Sequence, residues 1–216
     1  MRCCIDYRQL INCTVGDAYP VPRQDMCLDA LAGSRWYSVC DLRSSFHQVK
    51  LDPDASDKTA FITRRGIFRY RTMPFVLNNA VATFQRLMVL VLSGVRLSVC
   101  ICYLDDLILH STTLDQHQEN LEMILQKLCG ANLKLKPSKC FFLQTSVTFL
   151  GHLISSRGLE TDGEKTRFIE EWPVPTSLKQ LRGFLGLAGY YRRFVKDFSK
   201  KAAPLNDLLK KNNRFQ

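Results

Sequence analysis

The feature that most constrains this chain is a pair of adjacent carboxylates, Asp105 and Asp106, at the join of two short apolar runs within residues 99–109. Each run has the length and composition of a buried strand, and the break between them predicts a hairpin turn. Adjacent carboxylates at a tight turn repel each other, and apolar surroundings raise the cost of their charge. A bound cation removes both penalties, so the pattern favours a Mg²⁺ site on a rigid hairpin. A solvated Asp-Asp turn is the alternative that this pattern leaves open.

A third carboxylate, Asp41, favours the metal site over the solvated turn. It follows the strand-like run 36–40 and precedes the polar break 42–46. If its strand neighbours the hairpin, three carboxylates meet and can hold two metals about 3.5–4 Å apart, the clamp used in phosphoryl and nucleotidyl transfer. Taken alone, an acid at the position of Asp41 is more often a strand-end or cap residue than a metal ligand, so the hypothesis depends on both motifs together.

Composition narrows the class of protein. The 216 residues contain 30 Lys and Arg against 20 Asp and Glu, a net charge of +10, which suits a polyanionic partner and a simply soluble basic protein about equally. The nine cysteines show no CxxC or zinc-ligand spacing, which predicts reduced, buried thiols in a cytosolic-type compartment. The longest apolar stretch, 87–95, is too short to span a bilayer, so we expect no membrane partner.

Periodicity predicts an α/β organisation. Strands are expected at 36–40, in hairpins over 61–71 and 149–154, and at 133–136. Helices are expected at 80–88 with Asn79 as the cap, at 114–129 with Gly130 as the stop, and at 178–198 with Ser177 as the cap.

A longer series of motifs runs through nearly the whole chain. It comprises Asp6-Tyr-Arg-Gln-Leu10, Tyr19-Pro-Val-Pro-Arg23, Asp41-Leu42, Phe46-His-Gln48, Lys58-Thr-Ala-Phe61, Met73-Pro-Phe75, Ala82-Thr-Phe-Gln-Arg86, Tyr103-Leu-Asp-Asp106, Lys139-Cys140, Phe149-Leu-Gly-His152, Trp172-Pro-Val-Pro175, Phe184-Leu-Gly-Leu187 and Tyr190-Tyr-Arg-Arg-Phe194. In order and spacing this series resembles the reverse transcriptase of gypsy-type LTR retrotransposons, relatives of retroviral polymerases. The resemblance implies RNA-directed DNA polymerase activity on an RNA or DNA template with a primer, using deoxynucleoside triphosphates.

The resemblance also implies an α/β (α+β) fold of the right-hand polymerase type. Residues 1–35 would be partial fingers, and 36–155 the palm, with a residual fingers segment at about 53–75 and the primer-grip hairpin. Residues 156–216 would form a helical thumb and the start of a connection to a ribonuclease H-like region. We expect that region, and the upstream fingers strands, to lie outside this sequence. The implied location is cytoplasmic, in a retrotransposon particle, or nuclear, and not secreted.

Functional residues follow from the matched motifs. Asp41, Asp105 and Asp106 would be catalytic, and with Leu42 they would form the site for two Mg²⁺ ions, with Mn²⁺ as a possible substitute. The nucleotide would be bound by Arg2, Ser44, Ser45, Phe46 and Phe75, with Phe46 excluding a 2′-hydroxyl and the backbone amides of residues 42–45 receiving the triphosphate. Phe46 as an ordinary core residue is the alternative.

Template and primer would be contacted elsewhere in the chain. The residues implied are Tyr103, Phe149, Leu150, Gly151, His152, Arg182, Gly183 and Gly186. Two glycines inside one helix cost about 1 kcal/mol each relative to alanine, so either close approach to a nucleic-acid groove or close packing within the protein is expected there. An ordinary half-exposed strand residue is the alternative for His152.

The chain also departs from the family pattern. Val76 and Ser45 replace glycines, Val81 replaces a proline and Ile11 replaces an asparagine. If the glycine at 76 needs a positive φ or close approach to the template, a β-branched residue there is strained. Three alternatives to an active polymerase therefore stay open: a template–primer binding relic without catalysis, a partially folded fragment prone to aggregate at an exposed sheet edge, and a metal-dependent nuclease.

Overall fold

A computed structural model describes residues 5–161 and 163–210. These residues divide into two compact units. The first contains residues 5–149 and 154–158, and the second contains residues 150–153 together with the residues from 159 onward. The chain passes from one unit to the other between residues 149 and 150, 153 and 154, and 158 and 159.

The strands of the described residues are β1 Trp36–Asp41, β2 Phe61–Thr63, β3 Gly66–Phe68, β4 Cys100–Tyr103, β5 Asp106–Ser111, β6 Phe141–Gln144, β7 Ser146–Phe149, β8 His152–Ser155 and β9 Gly158–Thr161. The helices are α1 Arg8–Cys13, α2 Gln24–Ala30, α3 Pro53–Asp57, α4 Ala80–Val91, α5 Leu114–Gly130, α6 Gly163–Glu170, α7 Leu178–Tyr190 and α8 Phe198–Asp207. Short 3₁₀ turns lie at Ser45–Gln48, Pro137–Lys139 and Arg192–Phe194.

A four-stranded antiparallel sheet organises the first unit. Its strand order is β4-β5-β1-β6, so β1 pairs with both β5 and β6. Because successive side chains of a strand alternate between its two faces, Leu107 and Leu109 of β5 lie together on one face, with Cys40 of β1. That face forms the core with α4 and α5, through Phe84, Met88, Ile124 and Leu128. Apolar burial therefore fixes which face of β1 and β5 carries the acids.

The α/β fold class is confirmed, and most of the predicted elements form. The strand ending at Asp41, the hairpin on either side of residues 104–105, the β2–β3 hairpin with Gly66 at its turn and the hairpin around residues 150–151 are all present. Ser177 caps α7 as expected, because its side chain accepts a hydrogen bond from the Gln180 amide at 3.3 Å.

Four local predictions are wrong. Gly130 is the last residue of α5 rather than its stop, and the left-handed residue that follows the helix is Asn132, with φ +56°. Residues 133–136 form no strand, since only Leu135 pairs, in a single bridge with Leu42. The terminal helix ends at Tyr190, not 198, and is followed by a 3₁₀ turn. Asn79 does not cap α4, because its side chain bonds the Val15 carbonyl and the Asp17 amide instead.

The departures from the family pattern introduce no left-handed strain. Among the described residues, positive φ occurs at six non-glycine positions, and neither Val76 nor Ser45 is one of them. Val81 lies in the first turn of α4, where a backbone N–H has no helical partner, so valine replaces proline at little cost. The strain expected from a positive φ at Val76 is therefore absent.

The cysteines of the described residues differ in their burial. None of the described cysteines is in a disulfide; Cys27, Cys40 and Cys100 are buried, whereas Cys13 and Cys129 are exposed. Within the described residues we find no helix whose length and apolar content would carry it across a membrane.

Candidate active site

The register of the central sheet brings the acids of two motifs together. Asp41, the last residue of β1, is directly opposite Asp106, the first residue of β5. Like charges directly opposite each other in an antiparallel pair destabilise it unless a cation compensates. Asp105 precedes Asp106 in the hairpin turn between β4 and β5. Three carboxylates predicted from separate motifs therefore lie at one end of the sheet.

The turn that carries Asp105 is held in an uncommon conformation. Leu104, the first of its two residues, has φ +58°, as the favoured two-residue hairpin turns require. The Leu104 amide donates to Gln85 Oε1 of α4 at 3.2 Å, and Gln85 is buried. A left-handed non-glycine residue persists only where its surroundings hold it, and Gln85 supplies such support.

The charges around this turn are strongly coupled. Burial raises the pKa of Asp106 above its ordinary value, and the carboxylates of Asp105 and Asp41 raise it further, while Lys139 opposes them. Lys139 Nζ lies 2.9 Å from Asp41 Oδ2, and this hydrogen bond raises the pKa of Lys139. Burial, with the nearby Asp105 and Asp106, raises the pKa of the Cys102 thiol to about 12, so Cys102 stays protonated. The site therefore attracts cations.

Two of the acids open onto a cavity of about 530 Å³. Its walls are formed by Asp41, Leu42, Arg43, Ser44, Ser45, Phe46, His47, Phe75, Asp105, Lys136 and Lys139. The cavity has the volume of a small-molecule site, and it combines carboxylates, three long cationic side chains and two aromatic rings. Such a lining suits a ligand that carries both a polyanionic group and a flat or apolar part.

The carboxylates suit a hard divalent cation. Among the described residues, no three His, Cys, Asp or Glu side chains converge as a ready-made metal cage. Mg²⁺ is usually bound through one or two carboxylates plus substrate phosphates and water rather than by an all-protein cage. Asp41 and Asp105, which face the same cavity, are therefore a fitting donor set, and Leu42 lines the same cavity.

The structure gathers most of the predicted nucleotide-binding residues around the same cavity. Ser44 has φ +47° and begins the 3₁₀ turn, and the Ser45 hydroxyl donates to Asp105 Oδ2 at 3.4 Å. The Arg43 amide bonds the Lys134 carbonyl, so among the amides of residues 42–45 it is not the one expected to receive a triphosphate. Arg2 lies outside the described residues.

The two phenylalanine side chains that line the cavity differ in how far other side chains pack against them. Phe46 is half-buried and packs its ring against Phe84 of α4, with centroids 5.4 Å apart. Phe75 is 53% exposed and contributes one side of the cavity. Phe46 therefore touches both the core and the cavity, so its two interpretations from sequence are compatible.

The residues predicted to contact template and primer are spread over other parts of the chain. Tyr103, next to the acids, is half-buried, and its hydroxyl accepts a hydrogen bond from Gln24 Nε2 at 3.1 Å. Phe149 and His152 are both buried, so His152 is not the half-exposed strand histidine of the alternative interpretation. Leu150 and Gly151 between them form the half-exposed turn. Direct contact from this hairpin would therefore come from the turn.

Helix α7 carries the remaining predicted contacts. Arg182, Gly183 and Gly186 are exposed. A Cβ added at Gly186 would meet nothing within 4 Å, and one added at Gly183 would meet the Trp172 ring at 3.7 Å, an ordinary contact. Packing among the described residues therefore does not require glycine at either position.

Sequence reasoning missed several contributors. Gln85 supports the Asp105 turn, and Arg43, Lys136 and Lys139 supply the positive wall of the cavity. Lys139 belongs to the Lys139-Cys140 motif, but no role was predicted for it. For Gln85, the available signal was a polar residue within the apolar helix α4.

Known proteins resemble this chain along its whole length. The Pol polyprotein of transposon 297 from Drosophila melanogaster is 41% identical over 214 residues, which are 99% of this chain and 20% of that protein. The Pol polyprotein of transposon gypsy from the same organism is 37% identical over 212 residues, or 98% of this chain and 20% of that protein. The chain thus spans about a fifth of the length of these relatives.

Solved structures share the fold. A foamy viral protease-reverse transcriptase in complex with double-stranded DNA matches with a TM-score of 0.91 and 26% identity, over 98% of this chain and 37% of that one. The foamy viral enzyme in complex with an RNA/DNA hybrid matches with a TM-score of 0.85 and 26% identity, over 98% of this chain and 29% of that one. The family model described as reverse transcriptase (RNA-dependent DNA polymerase) matches residues 1–154. The chain therefore belongs to the reverse transcriptase family, a nucleotidyltransferase family, in the form found in the Pol polyproteins of gypsy-related retrotransposons.

Proposed function

We propose that this chain is the polymerase part of a retrotransposon reverse transcriptase and extends a primer with deoxynucleotides on an RNA or DNA template. The observation that carries the proposal is the register that sets Asp41 opposite Asp106, with Asp105 in the adjoining turn facing a basic cavity. Template–primer binding is supported by the foamy viral structures, which were solved with double-stranded DNA and with an RNA/DNA hybrid.

Different residues of the site would have different roles in nucleotidyl transfer. Asp41 and Asp105 would hold two Mg²⁺ ions, which when bound supply charge neutralisation and activate a hydroxyl. Asp106 does not line the cavity; burial raises its pKa, and the neighbouring carboxylates, whose charge a divalent cation would relieve, raise it further. Arg43, Lys136 and Lys139 would attract the triphosphate, and the amides of Ser44 and Ser45 would orient it. Phe46 would close the cavity at the position that a ribose 2′-hydroxyl needs.

The three regions named from the resemblance are part of this proposal. The sheet with its acids and helices α4 and α5 would be the palm, the β2–β3 segment the residual fingers, and α6 to α8 the thumb. In this proposal the palm would carry out catalysis, the residual fingers would cover the nucleotide, and the thumb would hold the template–primer.

The test is incorporation of deoxynucleotides on an RNA template with a DNA primer, in Mg²⁺ and then in Mn²⁺. Asp105→Asn keeps the shape of the side chain and removes its charge, so we expect incorporation to fall by at least about 10³-fold, as for loss of a main electrostatic stabiliser. Asp115→Asn, at an exposed acid in the first turn of α5, is the matched control and should leave incorporation unchanged.

The same assay separates the alternatives. A folded chain that binds a template–primer but incorporates nothing is the catalytically silent relic. Cleavage of the nucleic acid, abolished by Asp105→Asn, identifies a nuclease. Absence of a cooperative thermal transition identifies a partially folded fragment.

A further inference from the structure

The turn between β7 and β8 has a backbone that its sequence does not favour. Leu150 and Gly151 have φ +46° and +69°, so both turn residues are left-handed, as in a type I′ hairpin. Glycine adopts this conformation freely, whereas leucine carries a Cβ that crowds the following carbonyl. Such a residue stays left-handed only where neighbouring groups hold it.

Hydrogen bonds from two tyrosines of the second unit hold the turn in this conformation. The Tyr191 hydroxyl donates to the Gly151 carbonyl oxygen at 3.1 Å, and the Tyr190 hydroxyl donates to the Leu150 carbonyl oxygen. Both carbonyls of the turn therefore accept from side chains at the end of α7. Because each peptide is planar and trans, fixing a carbonyl also fixes the direction of the N–H that follows it. By its contacts, the segment 150–153 accordingly belongs to the second unit.

Ring contacts within the second unit add to these hydrogen bonds. His152, the first residue of β8, stacks on the Tyr190 ring with centroids 5.3 Å apart, and the edge of the Tyr191 ring meets it at 5.5 Å. Phe194 adds a fourth ring 5.6 Å from His152. His152 and Tyr191 are each 3% exposed, so they act from beneath the turn rather than at its surface.

We propose that Tyr191, together with Tyr190, is a positioning residue for the primer terminus: the two hydroxyls lock the Leu150–Gly151 turn, so that the turn presents one fixed face to the primer. This inference rests on the proposed function for the role of the turn. The lock itself rests only on the hydrogen bonds and ring contacts of the second unit. The two parts can therefore be tested separately.

The lock is tested by hydrogen exchange of the Gly151 and His152 amides. Tyr191→Phe removes one hydroxyl and keeps the ring, so the fold is retained. Loss of one neutral hydrogen bond corresponds to about fivefold faster exchange at these amides. Tyr190→Phe should act in the same direction. The matched control is Tyr37→Phe, since the buried Tyr37 hydroxyl donates to the Ser34 carbonyl at 2.7 Å, and it should leave exchange at the turn unchanged.

The positioning role is tested with a template–primer that carries 2-aminopurine as the 3′-terminal primer base. With Tyr191→Phe we expect the dissociation constant to change by less than about twofold, since few contacts are lost, while the fluorescence of the terminal base changes. In the incorporation assay kcat should fall by about tenfold, because a small misplacement of a reacting group has a large kinetic effect. A merely structural tyrosine would lower thermal stability and leave the fluorescence and kcat unchanged.

Each outcome is decisive. Unchanged exchange in both tyrosine variants overturns the lock. Faster exchange with unchanged fluorescence, or with unchanged kcat in an active chain, overturns the positioning role. If the natural chain binds template–primer without extending it, the proposed catalysis is wrong, yet exchange and fluorescence still decide this inference. A natural chain that does not bind template–primer overturns both the proposed function and the positioning role.

Discussion

At the scale of single residues, Phe46 connects the core to the proposed nucleotide cavity. Its ring packs on Phe84 and also lines the wall beside Asp41 and Asp105. A ring fixed by the core can exclude an extra hydroxyl by steric overlap, whereas a mobile side chain would move aside. The support from Phe84 therefore matters as much as the size of the ring.

Phe46→Val opens this wall, and we expect discrimination against ribonucleoside triphosphates to fall by about tenfold or more, because contact with one hydroxyl is no longer prevented. The measurement is the ratio of kcat/KM for a deoxynucleotide and the matching ribonucleotide. Phe142→Val, at a partly exposed phenylalanine of β6 outside the cavity, is the control. Equal discrimination in the natural chain and Phe46→Val would contradict the steric role.

Gln85 acts on the catalytic turn through a single hydrogen bond. Gln85→Ala leaves the Leu104 amide without its side-chain acceptor, and a half-buried donor left unpaired costs about 1–3 kcal/mol. We expect slower incorporation at saturating deoxynucleotide, measured as kcat, because Asp105 is held less firmly. Gln126→Ala, at an exposed glutamine of α5, should leave kcat unchanged. A loss of stability with normal kcat would limit Gln85 to a structural role.

At the scale of secondary-structure elements, helix α7 is stabilised at its first turn by a cap and destabilised near its middle by glycines. Ser177 caps its first turn, whereas Gly183 and Gly186 reduce its intrinsic stability without being required by packing among the described residues. A helix that keeps costly glycines on an exposed face favours close approach of a partner backbone there. Arg182 beside them suits a phosphate contact.

Gly186→Ala separates stability from binding. We expect the free energy of unfolding to rise by up to about 1 kcal/mol, since alanine is the better helix former. The dissociation constant for template–primer should increase about tenfold, equivalent to a loss of ~1.4 kcal/mol. Gly130→Ala, in the last turn of α5 where an added Cβ also meets nothing within 4 Å, is the control for stability alone. Unchanged affinity in Gly186→Ala would contradict the proposed groove contact.

The elements also show where local pattern is insufficient. Residues 133–136 alternate Leu and Lys like a surface strand, yet they form only a single bridge, between Leu135 and Leu42 just past the end of β1. Asn79 has the chemistry of a cap but binds the backbone at Val15 and Asp17. In both cases a contact with a distant part of the chain overrides the local preference for a strand or a helix cap.

At the scale of the whole molecule, stability is expected to depend on two buried histidines. His117 Nε2 lies 2.7 Å from Ser38 Oγ, and His110 bonds Ser34 and the Leu97 carbonyl. Burial lowers the pKa of each below its ordinary value of 6.5, and for His117 the neighbouring His110 lowers it further. The folded chain therefore binds fewer protons at these sites than the unfolded chain once the pH falls below 6.5.

The sign of the effect follows from proton linkage. Because the unfolded state takes up the protons first, the free energy of unfolding should decrease as the pH is lowered from about 7.5 to about 5.5. His117→Gln removes one titrating group, so the decrease should be smaller, as measured by thermal melts across this range. His47→Gln, at an exposed histidine, should keep the natural slope. Equal slopes in the natural chain and His117→Gln would contradict the linkage. Burial and the neighbouring carboxylates raise the pKa of Asp106, so this group acts in the opposite direction, because the folded state takes up its proton first.

The amino-acid sequence by itself determined the kinds of groups in the site and the ends of the strands that carry them. Short apolar runs rich in β-forming residues predicted β1 and the hairpin, the motif order identified the family, and the acids lie at or next to strand ends. These features are local, so the composition of each run and the turn chemistry reveal them.

Only the tertiary structure decided how distant segments meet. It set Asp41 in register with Asp106, brought Lys139 to Asp41, placed Gln85 beneath the turn, and aimed the hydroxyls of Tyr190 and Tyr191 at the Leu150–Gly151 turn. Such pairings join residues that are 19 to 98 positions apart along the chain. They depend on which apolar faces are buried together, and the packed core, not local sequence, selects that arrangement.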